Sequence, residues 1–165
     1  MTTPLNVVGA PKNISSGVQK PKTIADGLTD VLADTYRLTF KSHAFHWNVE
    51  GPLFYSIHSL TEEHYENMFA AADKLAERIR AIGQMAPMSM HQMMSASVIN
   101  DPETTPSAGE MCTMLADDHQ RIAHRLHALI EIAGEQNDPV TEDLATERSA
   151  FHEQAAWMLR ALATE

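Results

Sequence analysis

The sequence predicts an all-α protein, a four-helix bundle with a long crossover between its second and third helices. Three observations support this fold class. Apolar residues recur at spacings of three and four in four stretches of roughly 25 residues each, as they do on one face of a helix. The sequence lacks strand-like alternation, and Pro and Gly gather near its start and at a few breaks. A length of 165 residues suits one domain with a substantial core.

Two long helices are expected in the first half of the chain. Thr23 is the predicted N-cap of a first helix over residues 24–49, which Gly51-Pro52 ends. A second helix runs from about residue 54 to residue 82, where Gly83 supplies the stop. Its expected apolar side consists of Ile57, Thr61, Met68, Leu75, Ile79 and Ile82.

Two further helices are expected in the second half. Ser107 is the predicted cap of a third helix, which continues to about Ala133 and is stopped by Gly134. Pro139 suits a first-turn position and begins a fourth helix, which ends at about Ala163.

Residues 84–106 form the long crossover, and a short helix is expected around residues 90–95. The four methionines of this segment are interpreted as flexible packing rather than as soft-metal ligands. One long connection between the second and third helices is the topology of a ferritin-like bundle. We assign residues 23–165 to this bundle domain and residues 1–22 to a flexible N-terminal tail.

The net charge of −10 argues against a general binder of polyanions such as DNA. The first 25 residues differ from the rest, because they contain Lys12, Lys20 and Lys22 and no acidic residue. The preferred interpretation is a solubilising tail. The alternative is a basic arm that contacts DNA in many copies of the chain.

Several features favour a cytoplasmic protein. The single cysteine, Cys112, cannot form an internal disulfide, which suits a reducing compartment. The sequence contains no apolar run long enough to span a membrane as a helix. Its first residues lack the charged start and apolar stretch of a signal peptide. If the protein binds DNA, we expect it at the nucleoid.

Four side chains of the second helix, His58, Glu62, Asp73 and Glu77, carry most of the chemical information. At 100° per residue they fall on one stripe about 100° wide. His58 and Asp73 nevertheless lie about 22 Å apart along the helix axis, too far for one ion to bridge. The distance closes if two copies of the helix pack antiparallel across a two-fold axis near residues 67–68. That arrangement would create two equivalent sites at a subunit interface.

Imidazole and carboxylate ligands together suit iron, zinc or manganese, although each pair alone is more often a solvated pair. The same stripe holds two aromatic residues and two alanines, Tyr65, Phe69, Ala72 and Ala76. These residues indicate a contact between helices, and carboxylates beside such a contact need partners or a metal. The chain contains no Glu-x-x-His motif of the kind that di-iron bundles carry internally. A site between subunits is therefore the natural alternative.

The stretch from Lys41 to Phe54 includes His46-Trp47-Asn48, and His58, Glu62, Asp73 and Ala76-Glu77-Arg78 follow it. This pattern resembles the Dps family of mini-ferritins (DNA-binding proteins from starved cells). The match covers both halves of the first helical hairpin, whereas the third and fourth helices carry no comparable signature. The resemblance implies a hollow dodecamer with ferroxidase sites at its two-fold interfaces. Such proteins oxidise Fe²⁺, store Fe³⁺ as mineral and protect DNA from oxidative damage, and we expect hydrogen peroxide to be the preferred oxidant.

The resemblance also implies a ligand set for a di-iron site. His46, His58 and Glu62 would come from one subunit, and Asp73 and Glu77 from its partner. Many family members carry Asp where this chain has Glu62, and the longer side chain should still bind metal. Two other functions stay open. One is a DNA-compacting protein with a secondary metal site, and the other is a Zn²⁺ or Mn²⁺ site that does not oxidise iron.

Other residues are weaker candidates. Trp47 matches the tryptophan that the family keeps beside the site, where it would intercept stray oxidising equivalents, and it also suits a core aromatic. His43 lies one turn before His46 and is a candidate for the iron path. His64 is expected in the core or at its boundary. Asp143 resembles an acidic position in the family's three-fold pores, but a first-turn Asp is equally common.

The remaining histidines carry no site assignment. His119, His124 and His127 share the third helix with two arginines, and we expect them to be mostly exposed. His91 and His152 belong to no sequence pattern that would indicate a ligand or a core position. Glu63 and Glu66 flank the ligand stripe and are candidates for the cavity surface.

Overall fold

The computed structural model describes residues 16–163, which contain five helices and no strand. The helices are α1 (Pro21–Asn48), α2 (Phe54–Ala81), the short α3 (Met90–Ala96), α4 (Ala108–Glu135) and α5 (Pro139–Ala163). Helices α1 and α2 form one hairpin, α4 and α5 form another, and α1 packs against both α4 and α3. The predicted four-helix bundle with a short extra helix in the crossover is confirmed.

The predicted start of the first helix is wrong by three residues. Helix α1 begins at Pro21 and not at Ile24, and Lys20 takes the N-cap position with a left-handed φ of 43°. Proline suits the first helical position because its φ is already helical and it has no N–H to satisfy. Thr23 therefore lies inside the first turn, where its backbone N–H donates to the carbonyl of Lys20.

The end of the predicted tail is attached to the bundle where the structure describes it. The backbone N–H of Gln19 donates to the carbonyl of Gln136 at 2.8 Å, which joins the segment before α1 to the end of α4. The rest of the predicted flexible tail, residues 1–15 with Lys12, lies outside the described residues.

The predicted stop at Gly134 is also wrong, because α4 continues through Gly134 to Glu135. The chain turns at Asn137, which has a positive φ of 54°. The next residue, Asp138, accepts hydrogen bonds from the backbone N–H and the hydroxyl of Thr141. The carboxylate of Asp138 thereby satisfies a free N–H in the first turn of α5.

The apolar side predicted for the second helix faces the core. All six of its residues are buried: Ile57, Thr61, Met68, Leu75, Ile79 and Ile82. The five apolar residues among them pack in one core with residues of the other long helices, including Leu28 and Leu126. The ligand stripe of α2 therefore points away from the centre of the bundle. None of the helices that the structure describes combines the length and the apolar character needed to cross a membrane.

Buried polar contacts fasten the crossover to the bundle. Asp34 in α1 is fully buried and accepts hydrogen bonds from the Ser97 hydroxyl and the Val98 backbone N–H, both at 2.8 Å. Its other carboxylate oxygen pairs with Arg125 of α4 at 2.9 Å. One carboxylate thus joins α1, α4 and the segment after α3.

Candidate metal centre

The structure brings together His46 at the end of α1 and His58 in the first turns of α2. Gly51 makes this possible, because it adopts a φ of 96° in the connection, a conformation that only glycine adopts without strain. The two imidazole rings stack with their centroids 3.7 Å apart and an interplanar angle of 16°. His46 is buried and His58 is half-buried.

Each of these histidines is held by the backbone of the other. The Nδ1 atom of His46 lies 2.8 Å from the carbonyl oxygen of His58, and the Nδ1 atom of His58 lies 2.9 Å from the carbonyl oxygen of His46. A carbonyl oxygen only accepts, so both Nδ1 atoms carry a proton and donate it. With the proton on Nδ1, the Nε2 atom of each ring is the one whose lone pair can bind a metal ion.

Glu62 lies one turn after His58 with its carboxylate exposed. The half-buried phenol of Tyr65 follows three residues later on the same helix. Desolvation raises the pKa of that phenol, and the negative charges of Glu62 and Glu66 raise it further. The phenol therefore stays protonated beside these two carboxylates at neutral pH.

Aromatic rings surround the histidine pair. Phe54 stacks on His58 with a centroid distance of 4.9 Å. The ring of His43 lies between those of Tyr65 and Trp47, at 4.2 and 4.1 Å. The prediction that Trp47 also suits the core is wrong, because 57% of this residue is exposed.

The five predicted ligands do not converge within one chain. Asp73 and Glu77 are exposed farther along α2, and no three His, Cys, Asp or Glu residues among those described are placed to share an ion. Asp73 instead borders a groove between α2 and the crossover, which Phe69, Met88 and Met90 also line.

The four methionines of the crossover were interpreted as packing residues. This is correct only for Met93, which is partly buried and contacts the core. Met88, Met90 and Met94 are exposed.

The expected exposure of His119 is wrong. His119 is fully buried, and its Nδ1 lies 2.8 Å from Nδ1 of the equally buried His152 on α5. His64 packs edge-on against His119, with ring centroids 5.2 Å apart. His64 is therefore a core histidine, as predicted, whereas His124 and His127 are exposed as expected.

Burial keeps these core histidines neutral. It lowers the pKa of His64 to about 4. Burial also lowers the pKa values of His119 and His152 well below that of an ordinary histidine. The positive charge of nearby Arg148 lowers these two pKa values further. The sequence held a signal for His119, because it continues the apolar series of Leu115, Ile122 and Leu126 at spacings of three and four.

The acidic residues assigned to pores and cavity lie at the surface of the single chain. Asp143 is exposed near the start of α5, and Glu63 and Glu66 are exposed on α2. The assignment of Asp143 to a pore and of Glu63 and Glu66 to the cavity therefore stays a prediction.

The bundle, its crossover and the histidine pair define a protein of the ferritin-like class, and the sequence model of the ferritin-like domain matches residues 25–165. The chain is 34% identical over 140 residues to DNA protection during starvation protein 2 of Bacillus anthracis, covering 85% of this chain and 96% of that protein. The crystal structure of Dps from Staphylococcus aureus superposes with a TM-score of 0.85 at 29% identity, covering 90% of this chain and 99% of that one.

A Dps protein from Vibrio cholerae, described as a member of the ferritin-like diiron-carboxylate superfamily, superposes with a TM-score of 0.82 at 26% identity. That match covers 87% of this chain and 91% of the other. Within the ferritin-like class, this chain belongs to the Dps family.

Proposed function

We propose that this protein is a mini-ferritin that binds and oxidises Fe²⁺ at sites shared between two subunits and stores Fe³⁺ as mineral. The observation that carries the proposal is the pair His46 and His58, whose mutual backbone hydrogen bonds leave both Nε2 atoms free for a metal ion. The diiron-carboxylate description of the Vibrio cholerae relative supports iron as the metal.

Each site takes ligands from two chains. His46, His58 and Glu62 of one subunit face Asp73 and Glu77 of an antiparallel copy. The 61% exposure of Phe69, midway along the stripe, supports this pairing, because an antiparallel copy would bury this apolar ring. Oxygen and imidazole ligands of this kind suit iron and, by ligand type alone, also zinc or manganese.

The preferred oxidant is hydrogen peroxide. Two Fe²⁺ ions in one site give one electron each to H₂O₂, which takes up two protons and forms two molecules of water. No hydroxyl radical is released, because the oxidant receives both electrons. The protein fixes the positions of the metal ions and leaves room for the oxidant.

The assembly completes the function. A cytoplasmic dodecamer would enclose the mineral, Glu63 and Glu66 would nucleate it, and rings of Asp143 at the pores would draw Fe²⁺ inward. The removal of free Fe²⁺ and peroxide would protect DNA from oxidative damage, which agrees with the name of the Bacillus anthracis relative.

The test is Fe²⁺ oxidation followed by stopped-flow absorbance, after anaerobic loading of the apo-protein and mixing with hydrogen peroxide or air. We expect fast oxidation with peroxide at about two Fe²⁺ per H₂O₂ and slower oxidation with air. The variant His46→Leu/His58→Leu should lose the fast phase while its shell still assembles. A matched control is His124→Leu/His127→Leu, which removes two exposed histidines of α4.

Two results would contradict the proposal. Wild-type rates in the His46/His58 variant would show that the oxidation occurs elsewhere. No acceleration over free iron in the wild type would indicate another metal, and titration calorimetry with Zn²⁺ and Mn²⁺ would identify it.

DNA binding is the second candidate function, since the names of two relatives describe protection of DNA during starvation and direct binding is one way to provide it. The charge of −10 per chain opposes it, so we expect weak binding that disappears as salt rises. A gel-shift assay at low salt tests this with a chain that lacks residues 1–15 and carries Lys20→Gln and Lys22→Gln. The truncation ends at residue 15 because Gln19 bonds to the bundle. Tight binding that persists at high salt would favour the DNA-compacting function.

A further inference from the structure

Half of the chain's methionines lie in one short part of the crossover. Of the ten methionines in the sequence, five fall within residues 85–94: Met85, Met88, Met90, Met93 and Met94. The first two precede α3, and the last three belong to it. Those last three are separated by three and four residues from the start of the helix, which places their side chains on one side of α3.

The exposure of these methionines sets them apart from the others. Met88 is 84% exposed, and Met85, Met90 and Met94 are also exposed, whereas Met93 is half-buried. The other methionines that the structure describes are buried or half-buried: Met68, Met111, Met114 and Met158. Side chains that pack in a core remove their apolar surface from water. Packing within the chain therefore accounts for Met93 and leaves four exposed thioethers without an explanation.

Three of the five methionines line one groove. Met88, Met90 and Met93 border the groove between α2 and the crossover, whose volume is about 780 Å³. The sulfur of Met85 instead accepts a hydrogen bond from the guanidinium of Arg80, a positive charge that opposes the binding of a cation there. Met94 lines a neighbouring cavity beside α1. The groove is thus the place where thioethers from α3 and from the segment before it come together.

The ligand chemistry of this groove differs from that of the histidine pair. Thioether sulfur is a soft, uncharged ligand that selects Cu⁺ rather than a hard divalent ion. Asp73 is the one carboxylate among the described residues that line the groove, and the charge of neighbouring Lys74 offsets it. A hard ion such as Mg²⁺ or Mn²⁺ would need several oxygen ligands, which these walls do not provide.

We propose that Met88, Met90 and Met93 bind one Cu⁺ ion per chain, at a site separate from the proposed iron site. This inference goes beyond iron oxidation and does not depend on it. The backbone that carries the three ligands is held in place. Ser89 caps α3 by accepting from the backbone N–H of Gln92 at 3.1 Å, and the buried contacts of Asp34 fasten the segment that follows α3.

The test is anaerobic competition for Cu⁺ between the assembled, full-length protein and the coloured chelator bicinchoninate. We expect one Cu⁺ held per chain, with a shell of sulfur neighbours in X-ray absorption. Met88→Leu/Met90→Leu/Met93→Leu keeps apolar side chains of similar volume and removes the sulfur atoms. Its Cu⁺ affinity should fall by more than the roughly 10- to 100-fold that loss of an outer-shell partner costs.

Matched variants show whether the effect belongs to this groove. Met111→Leu/Met114→Leu/Met158→Leu removes the same number of sulfur atoms from α4 and α5 and should bind Cu⁺ as wild type does. His46→Leu/His58→Leu should also retain Cu⁺ binding, because the proposed iron ligands take no part in it. Analytical ultracentrifugation of every variant checks that the assembly is unchanged.

The pH dependence separates thioether ligands from imidazole ligands. A thioether takes up no proton between pH 8 and 5, whereas an ordinary histidine does so near a pKa of about 6.5. After correction for the chelator's own titration, the Cu⁺ affinity should stay constant over this range. His91, an exposed residue of α3, is the imidazole nearest in sequence, and His91→Gln should leave the affinity unchanged.

Several results would overturn the inference. These are no Cu⁺ binding by the wild type, equal affinity in the wild type and the groove variant, or an affinity that falls with pH and is lost in His91→Gln. If the groove variant did not assemble, X-ray absorption of the wild-type complex would still decide, because a shell of nitrogen or oxygen atoms without sulfur excludes the methionines. Failure of iron oxidation in the wild type would overturn the proposed function and leave this site intact.

Discussion

Two backbone carbonyls decide the chemical state of the histidine pair. Because the carbonyls of His46 and His58 accept from the opposite Nδ1 atoms, both rings are fixed in orientation and tautomer within a single chain. This part of the proposed site is therefore organised within the single chain. Little conformational entropy remains to be lost when a metal ion binds to it.

The buried pair His119 and His152 predicts how stability depends on pH. Both have pKa values well below the ordinary value, and the groups that face them are His64 of α2 and Arg148 of α5. The folded chain keeps both rings neutral, so the unfolded chain binds more protons as the pH falls below about 6.5. Stability should thus fall with decreasing pH, by up to about 1.4 kcal/mol per pH unit for each histidine.

Urea unfolding between pH 8 and 5, at constant protein concentration, measures this dependence. His119→Leu/His152→Leu replaces both partners by apolar side chains and should reduce the slope below pH 6.5. His124→Leu/His127→Leu should not change the slope, because those rings are exposed. Equal slopes in the wild type and the buried-pair variant would contradict the explanation.

Between elements, Asp34 is the buried carboxylate that joins α1 and α4 to the crossover. Replacing it with alanine leaves the Ser97 hydroxyl and the Val98 N–H without this acceptor, and Arg125 keeps its hydrogen bond to the carbonyl of Ala96 but loses its carboxylate partner. We expect Asp34→Ala to lower the free energy of unfolding by about 3 kcal/mol, the low end for breaking a buried ion pair, because Arg125 stays partly exposed. The crossover should also become more sensitive to proteolysis.

Chemical denaturation and limited proteolysis check this prediction. The control is Asp101→Ala, which breaks the pair of Arg37 with the mostly exposed Asp101. Surface pairs of this kind contribute about 1 kcal/mol or less. If the two variants were equally stable, the crossover would not depend on Asp34.

At the scale of the whole molecule, the stripe of α2 should determine assembly. Phe69 is largely exposed in the single chain, at the middle of the helix where two copies would meet. Phe69→Lys places a charge there and should prevent pairing while the subunit stays folded. Because the proposed site takes ligands from two chains, iron oxidation should be lost with the pairing.

Analytical ultracentrifugation and circular dichroism separate the two effects. Trp157→Lys is the control, since Trp157 is a similarly exposed aromatic residue on α5, far from the stripe in sequence. We expect it to leave the two-fold pair intact. A paired, fully active Phe69→Lys protein would exclude this surface as the interface.

The sequence by itself determined the fold class, all five helices to within a few residues and the stripe of candidate ligands on α2, because helical periodicity and Gly/Pro breaks are local signals. Its errors are informative. Thr23 and Gly134 carry ordinary end signals, but Pro21 and Asn137 provide the first turn of α1 and the reversal after α4. Local preferences are weak, and packing of neighbouring segments decides between them.

Only the tertiary structure decided which side chains meet. The mutual hydrogen bonds of His46 and His58, the stack of Tyr65, His43 and Trp47, and the burial of His119 against His152 join residues on different helices. Periodicity places a residue on a face of its own helix, but the rotation and offset between helices determine what that face contacts. For this reason the sequence identified the candidate ligands, whereas the geometry of the hairpin determined the tautomer of His46 and His58 and the side chains that surround them.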